Sequence, residues 1–247
     1  MVLISRDTLF DGDVYCSQHK DGYRFSIDPV LLAHFVRLKK EELLLDLGAG
    51  CGVLGLILRY RAHDSIRKIT AFEFQEGLAD LARENVLSNS FQDTMDVVQG
   101  DLRCIERYFS AGTFSAVVCN PPFYMPGSGR KSVNDEALIA RHQVKCTLGE
   151  IIYAAHYVLK NRGRFFLVYP AELLAVLIAG LSKTGFAVKR MQLVYSYPEK
   201  DATARLVLLE ALKNGGDGMS VESPLYIYRE KDGEYAEVVQ KMYQKNS

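Results

Sequence analysis

From Leu43 onward the chain alternates short continuous apolar runs with longer stretches in which apolar residues recur every three or four positions. The first kind reads as strands buried on both faces, the second as helices that cover them. Strands are expected at 43–47, 68–73, 95–98, 114–119 and 164–169, and helices at 53–60, 76–87, 148–159 and 172–182, the last with Pro170 near its first turn. Two further strands, 187–195 and 205–211, follow with no helix between them, so they must pair antiparallel. The expected fold is α/β: a mostly parallel seven-stranded sheet, helices on both faces, closed by an antiparallel hairpin.

The two ends look different. Residues 1–40 read as an appendage, a hairpin turning at Asp11-Gly12 and then a helix capped by Asp28 with Pro29 at its first position. Residues 41–213 carry the sheet, and Gly215-Gly216-Asp217-Gly218 leads into a tail, 214–247, with a strand at 224–228 and a helix from about Tyr235. The longest apolar run, 165–181, is interrupted by Pro170 and Glu172 and flanked by Arg164 and Lys183, which makes it a strand and a helix rather than a membrane span.

The chemistry sits at strand ends. Asp46-Leu47-Gly48-Ala49-Gly50-Cys51-Gly52 joins the first strand to its helix, and glycines there let a ligand lie close to the backbone. A dinucleotide fingerprint needs a third glycine where Val53 stands; the spacing is instead G-x-G-x-G. Glu73 closes the second strand, placed to accept both hydrogen bonds of a ribose diol, and Asp101 follows the third, placed for the amine of adenine. Together with the closing hairpin, this resembles the Rossmann-like arrangement of class I S-adenosylmethionine methyltransferases, which implies S-adenosylmethionine as the ligand. Asp46, Gly48, Gly50, Gly52, Glu73, Asp101 and Asn120 are the candidate cofactor residues.

The fourth strand runs into Asn120-Pro121-Pro122-Phe123-Tyr124. Two prolines stiffen the turn, so the Asn120 amide and the Pro121 carbonyl can act as fixed acceptors. An amine on a conjugated ring is a poor nucleophile because its lone pair is delocalised. Two acceptors on its N–H groups favour the localised form and align it with a methyl donor. Asn120, Pro121 and Phe123 are the candidate catalytic residues, Phe123 as a stacking surface. The motif is shared by methyltransferases of adenine, guanine and glutamine amino groups.

The stretch from Gln18 to Leu32, together with 45–52, 120–124, Ala140-Arg141-His142-Gln143 and 224–243, resembles the bacterial valine-tRNA adenine-N6 methyltransferase family over nearly the whole chain. The resemblance implies S-adenosylmethionine as cofactor, structured RNA, above all transfer RNA, as partner, and a cytoplasmic enzyme. It also implies that Tyr23, Arg24 and Asp28 lie over the cofactor or the cleft entrance. Two departures stand out: Gln143 where members often carry an acid, and Phe123 where some carry Tyr. Guanine-N2 methylation of ribosomal RNA, glutamine methylation and a non-catalytic binding module remain as alternatives. The first two are disfavoured by the lack of the extra upstream domain such enzymes carry, the third by the intact Asn120–Phe123 turn.

Composition changes this picture in one respect. The 247 residues hold 30 basic and 30 acidic side chains, a balance that argues against nucleic acid. By segment, however, 41–120 carries 7 basic against 12 acidic residues and 121–213 carries 13 against 7. The zero is a cancellation, and the positive surplus follows the catalytic turn. Arg130, Lys131, Arg141 and His142, with Phe123 and Tyr124, are the candidate substrate contacts. Five widely spaced cysteines without a CxxC pair suggest neither a disulfide framework nor zinc, and no histidine has metal spacing.

Overall fold

The computed structural model describes residues 4–19, 26–121 and 146–245. Strands β1 (Ile4–Leu9) and β2 (Val14–His19) form the N-terminal antiparallel hairpin, turning through Phe10–Gly12. Helix α1 (Asp28–Phe35) follows. The central sheet then takes β3 (Glu42–Leu47), β4 (Ile66–Glu73), β5 (Met95–Gln99), β6 (Phe114–Cys119), β7 (Leu159–Pro170), β8 (Phe186–Tyr195) and β9 (Leu206–Lys213). Its helices are α2 (Val53–Arg61), α3 (Glu76–Ser88), α4 (Leu148–Val158) and α5 (Leu174–Lys183). The tail adds β10 (Ser220–Val221), β11 (Leu225–Tyr226) and α6 (Glu237–Lys241).

The strand order is β10-β8-β9-β7-β6-β3-β4-β5, with β11 also on β8, which makes nine strands where seven were expected. The seven long ones are those expected; β11 is the core of the tail strand expected at 224–228, which joins this sheet through β8, and β10 is a two-residue addition too short to leave a period in the sequence. Strands β3 to β7 run parallel, and β9 inserts antiparallel between β7 and β8. Adjacent residues alternate between two cores: Leu44, Ala116 and Phe166 face α1, α2, α3 and both chain ends, while Leu45, Val117 and Phe165 face α4 and α5. No helix among the described residues is long and apolar enough to cross a membrane.

Three local expectations need correction. Asp28 is not a cap but the first residue of α1: Ile27 holds the cap position, and Pro29 is second. Pro170 ends β7, paired with Leu206, and a 3-10 turn, Ala171–Leu173, precedes α5. The strand expected at 164–169 begins earlier: β7 starts at Leu159, where the helix was expected to end, and a register shift against β6 accommodates residues 160–163. The Arg164 guanidinium turns inward to the buried Glu42 carboxylate, which also accepts from the Ser115 hydroxyl.

Both chain ends join the main core. The Phe10 amide donates to the Tyr243 carbonyl (3.1 Å), and the His34 ring to the Met242 carbonyl (3.0 Å). Arg190 ties α1, the sheet and the tail together. Its guanidinium lies 3.8 Å from the centre of the Phe35 ring and bonds the Phe35 carbonyl (2.6 Å), Glu210 (2.9 Å) and Glu222 (3.2 Å). Arg190→Ala strands these acceptors, and we expect a loss of about 3–5 kcal/mol in denaturant unfolding. Arg205→Ala, at an exposed position, should stay within about 0.5 kcal/mol of wild type.

Candidate active site

The glycine turn between β3 and α2 is pinned to the end of β4. The Gly48 and Ala49 amides donate to the Phe72 carbonyl at 2.8 and 3.1 Å. One Glu73 oxygen accepts the Gly50 amide and the other the Gln75 amide, both at 2.9 Å. Gly48, Gly50 and Gly52 have φ of +76°, +57° and +84°, conformations that cost little only without a side chain. A methyl group added at Gly48 or Gly50 would meet nothing within 4 Å, so the backbone there borders open space.

Asp46 sits beneath this turn, 1% exposed, and accepts the Gly55 amide (3.1 Å) in the first turn of α2. Burial raises its carboxyl to about 7; the Gly55 hydrogen bond opposes this and the neighbouring Glu73 adds to it. Asp101 caps a 3-10 turn, accepting the Arg103 amide (2.9 Å), and the Arg103 guanidinium grips the same carboxylate at 2.6–3.0 Å. That guanidinium holds Asp101 below the usual carboxylate range.

Asn120 and the buried Pro121 follow β6, the neighbour of β3 on the side away from β4. The glycine turn, Glu73, Asp101 and Asn120 therefore share the C-terminal edge of four neighbouring parallel strands, where open α/β sheets bind ligands. Phe123, Tyr124, Arg130, Lys131, Arg141, His142 and Gln143 lie outside the described residues, as do Tyr23 and Arg24. Asp28 lines a cleft at the ends of β7 and β8. Among the described residues no group of acids, histidines or cysteines could hold a metal ion. His156 packs edge-on against Phe186.

Asn85 and Asn89 are positioning residues that the helical pattern of α3 concealed. The Asn85 amide donates to the Cys51 and Ser17 carbonyls (2.9 and 3.0 Å) and its oxygen accepts the Ser17 amide (2.7 Å). Asn89 accepts the Tyr15 amide (2.8 Å) and donates to the Tyr15 carbonyl (2.7 Å). Four helical residues rise about 6.0 Å and two strand residues about 6.6 Å, so two asparagines one turn apart satisfy alternate residues of β2 as a neighbouring strand would. The sequence signal was Asn85 at the helical spacing of the apolar positions Leu78, Leu81 and Ala82; the structure shows it 1% exposed.

Asp46 generates a pH dependence. Its folded pKa of about 7 lies above the ordinary 3.8, so the folded chain holds a proton that the unfolded chain releases. The stability linked to that proton is complete below about pH 4 and is lost as pH rises to about 7. Asp46→Asn, which can still accept from Gly55, should therefore gain on wild type across that window, by up to roughly 4 kcal/mol, and level off above it. Denaturant titrations from pH 4 to 8 measure this; a constant difference between the two proteins contradicts it.

Comparison with known proteins agrees with this arrangement. The family model described as methyltransferase small domain matches residues 14–178. A Shewanella halifaxensis protein named tRNA1(Val) (adenine(37)-N6)-methyltransferase is 26% identical, covering 87% of this chain and 88% of its own. A protein of the same name from Dyadobacter fermentans is also 26% identical, covering 87% and 86%. The solved structure of an Agrobacterium tumefaciens protein, described as a predicted O-methyltransferase, superposes with a TM-score of 0.69 at 20% identity, over 87% of this chain and 95% of that one. This last likeness concerns the fold. With its sheet order, its pinned glycine turn and a family match across most of the described sheet, the chain belongs to the methyltransferase small domain family.

Proposed function

We propose that this chain is an S-adenosylmethionine-dependent N-methyltransferase acting on N6 of an adenine in transfer RNA, at the anticodon-loop position 37 for which its relatives are named. The observation that carries this reading is the adjacency of the Glu73-pinned glycine turn and Asn120-Pro121 at neighbouring strand ends. The residues present suit the cofactor. Gly48 and Gly50 border open space, and the Glu73 carboxylate, oriented by the Gly50 and Gln75 amides, is the acceptor for the ribose hydroxyls. Gly52 completes the turn, Asp46 braces it from below, and Asp101, oriented by Arg103, stands at the adenine end.

Bound there, S-adenosylmethionine supplies a methyl group on a positively charged sulfur. The protein's part is to prepare the amine. The Asn120 oxygen and the Pro121 carbonyl accept its two N–H bonds, localise the nitrogen lone pair and point it at the methyl. Charge builds on nitrogen only as the new bond forms, so the proton leaves afterwards to water and no strong base is needed. Phe123 provides the stacking face for an adenine turned out of its loop, and Tyr124, Arg130, Lys131, Arg141 and His142 meet the flanking phosphates.

Purified protein should transfer labelled methyl to transfer RNA from cells lacking this gene, with N6-methyladenosine recovered by nucleoside mass spectrometry. Asn120→Ala should lower kcat by at least roughly a hundredfold with cofactor affinity largely unchanged. Label found only in protein, or full activity of Asn120→Ala, overturns the proposal.

A further inference from the structure

A cleft of about 1030 Å³ opens at the C-terminal ends of β7 and β8 and the start of β9. Its walls include Pro170, Glu172, Tyr195, Arg205, Tyr228 and Asp28. It lies on the same sheet edge as Asn120. Cys119 pairs with Leu167, three residues before Pro170 on the adjoining strand. The cleft thus starts one strand from the catalytic turn and reaches three strands away, roughly 5–15 Å at about 4.8 Å per strand.

The cleft's groups differ in kind and place. Tyr228, 37% exposed, is the outer member of a three-ring stack, with Tyr235 at 5.3 Å and Tyr243 beyond at 5.8 Å. Its backbone is fixed by the bond from its amide to the Ser196 carbonyl (2.8 Å). Tyr195 rests on Tyr226 at 5.6 Å. Both rings are held before any ligand arrives, which lowers the ordering cost of stacking. Arg205 is exposed, with its amide on the Val194 carbonyl (2.8 Å) and its own carbonyl accepting from Ala171 (3.1 Å), so its backbone is locked at the rim. The acids Asp28 and Glu172 disfavour a phosphate deep in the cleft but can accept from the amino or imino N–H of a base.

Resting on the function proposed above, we infer that this cleft holds the base of the nucleotide adjoining the methylated adenine, stacked on Tyr228 with Arg205 on its phosphate. Rigid aromatic faces, acceptors within and one cation at the rim match a splayed-out nucleotide. This subsite would make recognition depend on the neighbour of the target as well as on the target.

The test uses full-length transfer RNA transcripts carrying one abasic residue immediately 5′ or 3′ of the methylated adenine. With wild type, one of the two should raise KM about tenfold or more while kcat changes little. Tyr228→Ala should show that raised KM on intact RNA and lose nothing further on the abasic one, whereas Tyr228→Phe behaves as wild type. Arg205→Gln should reduce the slope of log affinity against log salt by about one, on intact and abasic RNA alike. Equal abasic effects in wild type and Tyr228→Ala, or no abasic effect in an active wild type, overturn the subsite alone. A wild type that methylates no RNA overturns the underlying function and the subsite with it. Arg205→Gln, altered only at an exposed side chain, keeps the test decisive if Tyr228→Ala fails to fold.

Discussion

The carboxylate of Glu73 holds the two halves of the nucleotide-facing edge in register. One oxygen fixes Gly50, in the turn after β3, and the other fixes Gln75, at the entry to α3. A side chain at the end of one strand thereby sets the conformation of the loop from its neighbour and the start of the helix after itself. The left-handed glycines need this anchor, because their conformational freedom would otherwise be lost at full entropic cost on ligand binding. Asp46 works from the opposite side, drawing the first turn of α2 toward β3. Burial is the main reason Asp46 ionises reluctantly, and the nearby Glu73 carboxylate adds to it.

The N-terminal hairpin extends the same logic. It is not hydrogen-bonded into the central sheet, yet β2 is held by Asn85 and Asn89 as though α3 were a strand. Because Asn85 also bonds the Cys51 carbonyl, the hairpin and the glycine turn are fastened through one side chain. The tail reaches the hairpin from the other end, through Phe10 and Tyr243. Segments distant in sequence thus brace the loop on which the site depends, and the apolar residues Phe10, Val30, Leu225 and Val239 share one core with β3 and α2.

How much was legible follows from what each feature depends on. Strand β6, Phe114–Cys119, was read to the residue because a strand buried on both faces must be continuously apolar. The inserted position of β9 was only half legible: the missing helix implied an antiparallel pair, but not that β9 would separate β8 from β7. The start of β7 was missed because a register shift lets Lys160, Asn161 and Arg162 extend the strand without apolar side chains. Asp28 and Pro29 read as cap and first turn because the local motif allowed it, while the chain entering from Ser26 placed the helix start one residue earlier. The acids at the strand ends were legible as a set, since one sheet edge gathers them. The cleft was not, because Pro170, Tyr195, Arg205 and Tyr228 come from four separate segments.

The charge distribution connects the two ends of this edge. Residues 41–120, from β3 to β6, carry a surplus of acids, and residues 121–213 a surplus of bases, so on the proposed function the charge balance changes sign between the cofactor part of the chain and the substrate part. The surplus on the substrate side is small, and part of it is spent internally: Arg164 and Arg190 are buried in ion pairs and Lys213 bonds the His156 and Leu159 carbonyls. Few cations therefore remain to attract phosphates at a distance. On the proposed function, affinity for RNA then comes largely from short-range shape, from rings such as Tyr228 that are fixed before binding, and discrimination among RNAs follows from which bases can leave their stack rather than from charge alone.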